Sequence, residues 1–264
     1  MTLPDPLDAP ILDFDATREA VVEPGFAIDR LDVPRHAVLC FFRDAIASLV
    51  GELGGHEIGA LRSEMGSHPI FEVAYRSQRL AIVQAGVGAP LAAGWLEELI
   101  ALGCRAFVAA GGAGVLVPDL ALGHVVVPTA AIRDEGTSYH YLPASREITP
   151  TADALTAILA TLDRRGVPHV EGKTWTTDAF YRETRSKVDR RVAEGCLTVE
   201  MEAAAFFAVA RFRSVSFGQM LYAGDDLSGE TWDGRGWTRH DSGRDLLLRL
   251  AAEAVLDIAP GPPD

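Results

Sequence analysis

The chain has 264 residues, 48% of them hydrophobic, which suits one globular unit with a large buried core. Its formal net charge of -13 argues against nucleic acid as a partner, because phosphate backbones are bound by basic patches. No apolar run approaches the roughly 18 residues that cross a bilayer, and residues 1–6 lack the cationic and apolar segments of a signal peptide. We therefore expect a cytoplasmic protein whose partner is a small molecule, with no membrane attachment.

The sequence lacks the motifs of metal, cofactor and disulfide sites. Cys40, Cys104 and Cys196 are far apart in apolar or helix-end contexts, which favours buried free thiols over a disulfide framework. There is no His-x-x-x-His pair and no carboxylate cluster with metal-ligand spacing. Gly86-x-Gly88 lacks a third glycine at dinucleotide spacing, and no Gly-x-Ser-x-Gly elbow is present. We therefore expect no metal and no resident cofactor.

Apolar runs bounded by glycine, proline or charged residues predict strands, and periodic stretches ended by glycine predict helices. The Pro- and Asp-rich residues 1–20 are interpreted as an arm, and residues 21–260 as one domain. Predicted strands lie at 37–42, 71–75, 80–84, 105–110, 123–131, 169–176 and 216–223. Predicted helices lie at 43–53, 91–102, 151–165, 184–194, from 203 onward, and at 242–258.

A strand, a glycine turn, a helix, a second strand and a second glycine turn follow one another between residues 80 and 114. This succession is typical of parallel strands joined by crossover helices. It predicts an α/β fold, a single domain with a central, mixed, mostly parallel twisted sheet flanked by helices. Ligands of such sheets bind at the carboxyl ends of the strands. The main-chain N–H groups there can cradle an anion, at Gly86, Gly88, Gly111 and Gly112.

Two carboxylates stand where a β-branched run enters a helix, in Glu200-Met201-Glu202. Every residue from 203 to 210 is apolar, so we expect this helix to be buried on nearly all sides. Carboxylates at the start of such a helix are costly unless they hold a ligand. The alternative is that both are first-turn acids stabilised by the helix dipole. The residues alone leave both interpretations open.

Asp225 and Asp226 end a predicted buried strand, which is where an α/β enzyme keeps a general acid. Asp226 also suits the N-cap of a following helix. We therefore favour Asp225 as the catalytic residue and Asp226 as a structural one. His140, between Tyr139 and Tyr141, is retained as a pocket residue only, because a lone histidine among aromatics is more often a packing or interface residue.

Five sequence segments carry a family resemblance. The most specific is VEMEAAAFFAVA at residues 199–210. The others are GVGAP at 86–90, AAGGAGVLVPDLALGHVVVP at 109–128, RDEGTSYHYLP at 133–143 and TWTTDAFY at 174–181. Together they resemble the nucleoside phosphorylase superfamily, which contains purine nucleoside phosphorylase, uridine phosphorylase and the methylthioadenosine nucleosidases. The resemblance runs from about residue 38 to residue 258 and implies the family's α/β fold and the cleavage of nucleosides.

The first segment is similar to the family's ribose-binding signature. The resemblance implies that Glu202 binds the 2′ and 3′ hydroxyls, that Met201 packs on the sugar and that Glu200 assists. A carboxylate there stabilises the positive charge of the oxocarbenium-like sugar as the N-glycosidic bond breaks. Residues two apart in a continuous helix face different ways, so both acids reach one pocket only if Glu200 precedes the first turn.

The resemblance also implies that the pocket holds a purine. Asp225 matches the acid that protonates N7 of the leaving base in purine-cleaving members. Uridine phosphorylases hold uracil with a Gln and an Arg, where this chain offers Thr184 and Ser186. The presence of Asp225, which uridine phosphorylases lack, and the absence of the Gln and Arg pair both favour a purine or purine-like base. The expected base pocket is completed by Phe180, Tyr181 and His140.

The expected phosphate site departs from the family pattern. Phosphorylases hold phosphate with a Gly-Asp-Pro-x-Arg loop and an Arg on the strand before the glycine turn, but this chain has residues 22–26 and Ala109 there. Phosphate carries too much charge for glycine amides alone, so other arginines must substitute or water must attack. Glu23 is the candidate base for activating water, and no residue matches the histidine that neighbouring subunits supply to the sugar 5′ end. The candidates for phosphate are Arg43, Arg62 and Arg133.

These residues lead to one expected function and two alternatives. We expect cleavage of a purine-type nucleoside by phosphate, the cosubstrate, to give the free base and ribose 1-phosphate. The first alternative is hydrolysis by water in the same pocket, and the second is a nucleoside-binding protein without catalysis. A place in nucleotide salvage and assembly as a homo-oligomer, whether dimer, trimer or hexamer, are further expectations from the resemblance.

Overall fold

The computed structural model describes residues 9–28, 31–237 and 241–261. Residues 1–8 of the predicted arm lie outside the described residues, so the boundary between arm and domain stays a prediction. The described part of the arm carries a 3-10 turn, Pro10–Leu12, and is followed by α1, Pro24–Ala27. No helix of the described chain is long and apolar enough to cross a membrane.

The strands of the described residues form one sheet. In chain order they are β1 His36–Cys40, β2 His56–Ser63, β3 Gly66–Tyr75, β4 Gln78–Gln84, β5 Ala106–Val115, β6 Val125–Asp134, β7 Glu147–Ile148, β8 His169–Thr177, β9 Cys196–Glu200 and β10 Ser216–Asp226. The helices after α1 are α2 Arg43–Glu52, α3 Ala89–Leu102, α4 Ala152–Arg165, α5 Arg185–Ala193, α6 Ala203–Arg213 and α7 Asp241–Leu256.

The strand order is β10-β6-β8-β9-β5-β1-β4-β3-β2, and β7 pairs with β6 beside this path. β10 also pairs with β5, so β5, β10, β6, β8 and β9 close into a ring. Parallel pairing joins β1 to β4 and β5, β5 to β10, and β8 to β6 and β9. The hairpins and the short contacts that close the ring are antiparallel. The prediction of a single α/β domain with a mixed sheet is confirmed.

Helices cover both faces of the sheet, which is why its central strands are apolar throughout. On one face, α3 and α6 pack on Leu39, Phe107 and Phe217. On the other face, α2, α4 and α7 pack on Val38 and its neighbours. All residues of α6 from 203 to 210 are buried, which confirms the prediction of a helix buried on nearly all sides.

β5 continues through glycines that the sequence predicts to form a turn. Gly111 and Gly112 lie inside this strand, so the predicted turn at these residues is wrong. A Cβ at Gly111 would lie 3.0 Å from the Phe41 ring, and one at Gly112 would lie 3.1 Å from the Tyr222 ring. Glycine is needed there because aromatic side chains occupy the space. β2 is missing from the predicted strands because it is half-exposed and has no clear apolar alternation.

Candidate active site

A cavity of about 670 Å³ opens at the last residues of β5, β9 and β10. In the ring of strands β5 lies between β9 and β10, so these strand ends meet. The cavity therefore brings together two of the predicted ribose residues and three of the predicted base-pocket residues. It is lined by Gly114, Phe180, Tyr181, Glu183, Val199, Glu200, Met201, Asp225, Leu227, Trp232 and Trp237.

The Glu200 carboxylate is held by the protein itself. Its Oε1 accepts a hydrogen bond from the Thr176 hydroxyl at 2.6 Å. Its Oε2 accepts from the backbone N–H groups of Glu202 at 2.8 Å and Ala203 at 2.7 Å. Because the first N–H groups of a helix have no partner within it, Glu200 caps the start of α6. This geometry fits the interpretation of Glu200 as a helix-start acid.

Glu202 joins two turns that are far apart in the sequence. It occupies the N-cap position of α6 but makes no capping hydrogen bond with its side chain. Its Oε1 accepts from the Gly88 N–H at 2.6 Å, and its Oε2 accepts from the Met201 N–H at 3.3 Å. Gly88 has a φ of 87°, which explains why a glycine stands there. Glu202 is only 5% exposed, and these two bonds leave carboxylate lone pairs for a ligand.

Burial raises the pKa of both carboxyl groups, to about 7 for Glu200 and about 8 for Glu202. The negative charge of Glu200 is the second cause of the raised pKa of Glu202. The three hydrogen-bond donors around Glu200 oppose the effect of burial on its pKa, and the backbone N–H groups of Gly88 and Met201 do the same for Glu202. Hydroxyl donors of a sugar would stabilise the ionised form of Glu202 in the same way.

Asp225 reaches the cavity from the end of β10. Its Oδ2 accepts a hydrogen bond from the indole Nε1 of Trp232 at 2.7 Å. Its Oδ1 lies on the side of Gly114, where a Cβ would be 3.6 Å away. One carboxylate oxygen is thus held by a tryptophan, and the other faces the glycine wall of the cavity.

Asp226 anchors a loop and does not cap a helix. Its Oδ1 accepts from the Ser228 N–H at 2.7 Å, and its Oδ2 pairs with the Arg235 guanidinium. Its backbone pairs with Asp233 across the loop. The residues that follow Asp226 form turns and not a helix. Asp226 therefore stabilises a turn, and the helix N-cap that its position suggests is not formed.

Glu183 also lines the cavity, although no motif of the sequence singles it out. Its carboxyl is half-buried and makes no side-chain hydrogen bond with the described residues. Burial raises the pKa of Glu183 to about 7, and the negative charge of Asp225 adds to the effect. Glu183 therefore retains a proton to a higher pH than a free carboxyl group does. The cavity therefore contains a carboxyl pair, Glu183 and Asp225.

The local turn explains why Glu183 and not its neighbours lines the cavity. A 3-10 turn, Phe180–Arg182, precedes it and sets the direction of the chain. Thr184 lies at the N-cap of α5 with its hydroxyl 3.3 Å from that of Ser186, and both residues are exposed. An acid two residues after a pair of aromatic residues, Phe180 and Tyr181, is the sequence signal that could have found Glu183.

The four glycines predicted for an anion lie in two different settings. Gly86 and Gly88 form the turn between β4 and α3, whereas the other two lie within β5. A Cβ at Gly86 would lie 2.6 Å from Leu91, so this turn packs tightly on the following helix. The Gly88 N–H is already bonded to Glu202. The turn at Gly86 and Gly88 is thus tied directly to the predicted ribose residue.

Arg43 is the first residue of α2 and is exposed. It lines a second cavity, of about 450 Å³, together with Ser67, His68 and Gln84. Gln84 ends β4 and stands two residues before Gly86, so this cavity lies at the same sheet edge as the first. α2 begins without a side-chain cap, which leaves its first N–H groups available to an anion.

Arg62 and Arg133 lie elsewhere. Arg62 lines a different cavity, beside Leu31 and Glu98. Arg133 is buried, and its guanidinium donates to the Ser138 hydroxyl at 2.8 Å. It also donates to the carbonyls of residues 142 and 143 and to the hydroxyl of residue 145. Arg133 therefore holds its own loop together, and the structure does not place it beside Glu202.

Three further predicted residues do not line the first cavity: Glu202, Glu23 and His140. Glu23 lies 3.9 Å from Arg213, in the last turn of α6. Glu202 occupies the N-cap position at the other end of the same helix, which has 11 residues and is therefore about 16 Å long. The structure thus does not bring Glu23 and Glu202 together within one chain. His140 is exposed in the 3-10 turn Thr137–His140 and does not line the cavity.

The described residues contain no group of three or more His, Cys, Asp or Glu side chains that could hold a metal ion. Cys40, Cys104 and Cys196 are buried free thiols, as predicted. Burial raises the pKa of each thiol to about 12, so they are unreactive at neutral pH.

Comparisons of the sequence with known proteins identify relatives. A family model described as the phosphorylase superfamily matches residues 35–255. A guanosine phosphorylase from Halorubrum lacusprofundi is 34% identical over 160 residues, which are 61% of this chain and 66% of that protein. A uridine phosphorylase from Treponema pallidum is 31% identical over 190 residues, which are 67% of this chain and 72% of that protein. The chain thus spans about two thirds of the length of these curated relatives.

Solved structures share the fold. A purine nucleoside phosphorylase from Toxoplasma gondii, in complex with immucillin-H, has a TM-score of 0.74 at 22% identity, covering 85% of this chain and 91% of that one. An AMP nucleosidase from Bacteroides thetaiotaomicron has a TM-score of 0.68 at 23% identity, covering 85% of this chain and 88% of that one. These likenesses concern the fold, whereas the family model covers most of the sequence. The chain therefore belongs to the phosphorylase superfamily, as an enzyme of the nucleoside phosphorylase or nucleosidase kind.

Proposed function

We propose that this enzyme cleaves the N-glycosidic bond of a 6-oxopurine nucleoside, such as guanosine or inosine, and releases the free base. The observation that carries the proposal is the carboxyl pair Glu183 and Asp225 in one aromatic-lined cavity with Glu200 and Met201. The relative with 34% identity is named a guanosine phosphorylase, which supports a purine. The relative with 31% identity is named a uridine phosphorylase, so the choice of base needs a direct test.

The carboxyl pair suits the edge of a 6-oxopurine. Such a base carries an acceptor at N7 and a donor at N1. When the glycosidic bond breaks, its electrons move into the base, and a proton delivered to N7 neutralises the developing charge. In this proposal Asp225 delivers the proton and Glu183 accepts a hydrogen bond from N1–H. In this proposal the proton comes from Glu183, whose pKa burial raises to about 7, and it reaches N7 through Asp225.

The sugar lies against Glu202 and Met201 in this proposal. The Glu202 carboxylate has lone pairs beyond its two backbone hydrogen bonds, and these suit the 2′ and 3′ hydroxyls. As the base leaves, the sugar becomes oxocarbenium-like, and the ionised carboxylate stabilises it. Glu200 contributes indirectly, because it caps α6 and fixes the turn that carries Glu202.

Phosphate is the proposed nucleophile, with ribose 1-phosphate as the second product. Arg43 supports it, because an exposed guanidinium at the uncapped start of α2 lines a cavity beside Gln84. Hydrolysis is the second candidate, since the buried Ala109 stands where the family carries a phosphate arginine. A hydrolytic enzyme would need a base other than Glu23, which is remote from Glu202 within the chain.

The test is release of base from guanosine, inosine, adenosine and uridine in reactions with and without phosphate. Chromatography measures the released base. We expect guanosine and inosine to be cleaved at least about tenfold faster than uridine, and only when phosphate is present. A preference for uridine would overturn the assignment of the base, and equal rates in phosphate-free buffer would establish hydrolysis. Nucleoside binding without any release of base would establish the non-catalytic alternative.

Assembly as a dimer, trimer or hexamer, a place in nucleotide salvage and a cytoplasmic location stay predictions. Tyr181 is 89% exposed and Phe180 is 50% exposed at the rim of the cavity. An exposed aromatic pair at a rim supports coverage of that rim by a second copy of the chain. Light scattering on the purified enzyme measures the number of copies.

A further inference from the structure

The loop formed by residues 227–237, after β10, is fixed at its base. Asp226 and Asp233 exchange two backbone hydrogen bonds, of 2.8 and 3.0 Å. The guanidinium of Arg235 pairs with the Asp226 carboxylate and donates to the Leu120 carbonyl at 2.8 Å. The 227–237 loop therefore has a defined geometry relative to the end of β10, where Asp225 stands.

Trp232 lies in this loop and contacts Asp225. Its indole N–H donates to Oδ2 of Asp225 at 2.7 Å. Trp232 is 66% exposed, so its ring is not part of the hydrophobic core. Gly234 packs beneath the ring, where a Cβ would lie 3.0 Å from the indole. The ring is thus held between a glycine and a carboxylate while it forms part of the cavity wall.

The anchored oxygen determines where the second carboxylate oxygen points. An aspartate side chain rotates about two torsions, and a hydrogen bond to one oxygen restricts both. Oδ1 of Asp225 lies on the side of Gly114, which lines the cavity. Alignment of a proton donor with its target is a large part of what an active site contributes to rate.

We propose that Trp232 is a positioning residue, whose indole N–H fixes Oδ2 of Asp225 so that Oδ1 faces the base. This inference rests on the proposed function, in which Asp225 protonates the leaving purine. Loss of the N–H affects the chemical step more than substrate binding, because alignment of the acid matters as the bond breaks. An aromatic residue that merely covered the cavity would act on KM and not on kcat.

Trp232→Phe tests the role of the N–H, because phenylalanine keeps an aromatic ring without a donor. With guanosine we expect kcat to fall at least about tenfold while KM changes by less than about twofold. Trp232→His keeps a ring N–H and should recover part of the lost kcat. Glu230→Gln, an exposed neighbour in the same loop, is the matched control and should leave both constants unchanged. A Trp232→Phe enzyme with the wild-type kcat, or with only KM raised, overturns the inference.

A second measurement does not depend on turnover. The chain has 4 tryptophans, and the indole N–H signal of Trp232 in a proton–nitrogen correlation spectrum is the one that Trp232→Phe removes. A carboxylate acceptor shifts such a signal downfield, so Asp225→Leu should move it upfield and leave the other indole signals in place. If the wild-type enzyme releases no base from any nucleoside, the proposed function fails while this spectrum still tests the contact. An unmoved Trp232 signal in Asp225→Leu overturns the inference.

Discussion

The two ends of the proposed nucleoside site are built in different ways. At the sugar end, Glu200 and Glu202 are buried, and their carboxylates accept hydrogen bonds from backbone N–H groups of the α6 start and of Gly88. At the base end, Asp225 and Glu183 are half-exposed, and Asp225 is held by the side chain of an exposed tryptophan. Backbone groups are fixed by the fold, whereas loop side chains are set by local turns. The sugar end is therefore a consequence of the fold, and the base end is a consequence of loop sequence.

The largest effect is expected at the sugar end, from Glu202→Gln. The amide keeps an acceptor for the Gly88 N–H but loses the charge that stabilises the sugar cation, so kcat/KM for guanosine should fall by about 10² to 10³. Steady-state release of guanine measures this loss. Glu64→Gln, exposed in the turn between β2 and β3, is the control and should behave as wild type. A loss of less than about tenfold in Glu202→Gln would mean that the sugar end does not act through charge.

At the base end, Asp225→Asn should lower kcat for guanosine by about 10². The reason is the loss of the proposed acid. A substrate that does not need this acid separates the loss from other effects of the substitution. 7-Methylguanosine already carries a positive charge on its imidazole ring, so its base leaves without protonation at N7. The variant should therefore cleave 7-methylguanosine at close to the wild-type rate. Equal losses on the two nucleosides would show that Asp225 acts in binding or folding instead.

Glu183→Gln should change the choice of base more than the rate. An amide accepts from N1–H less strongly than a carboxylate does, so the ratio of kcat/KM for guanosine to that for adenosine should fall by about tenfold. Since the pKa of Glu183 is raised to about 7 by burial and by Asp225, this ratio should also depend on pH near 7 in the wild type and lose that dependence in the variant. Competition between the two nucleosides in one reaction measures the ratio directly. An unchanged ratio would assign the preference to other cavity residues.

The same contrast explains how much the sequence predicts. Glu200, Met201 and Glu202 are adjacent in the chain, so one motif carries the predicted ribose site, and long apolar runs suffice for the α/β fold. Glu183 and Trp232 reach the cavity through turns, and a one-residue change in a turn exchanges the side chain that faces inward. Local pattern predicts a turn at the glycines within β5, whereas these glycines are required by the rings of Phe41 and Tyr222, which are distant in sequence. Contacts between residues that are distant in sequence cannot be predicted from the local sequence pattern.

The smallest expected effect is on stability, and pH reveals it. Burial raises the pKa of Glu202 from an ordinary 4.5 to about 8. The folded chain thus binds this proton more tightly than the unfolded chain, so the contribution of Glu202 to the free energy of unfolding is lost as pH rises from about 4.5 to about 8. Since one pKa unit corresponds to about 1.4 kcal/mol, this loss is on the order of a few kcal/mol.

Glu202→Gln removes the titrating group, so the stability of the variant relative to wild type should be greater at pH 8.5 than at pH 5.5, by a difference on the order of a few kcal/mol. Urea unfolding of wild type and Glu202→Gln at the two pH values gives this difference in the free energy of unfolding. Glu64→Gln, unfolded at the same two pH values, is the control. A stability difference between variant and wild type that is the same at both pH values would mean that the free enzyme holds Glu202 ionised throughout. The carboxylate at the sugar end would then be ionised before any nucleoside binds. In its charge, the buried sugar end would then be like an exposed carboxylate site.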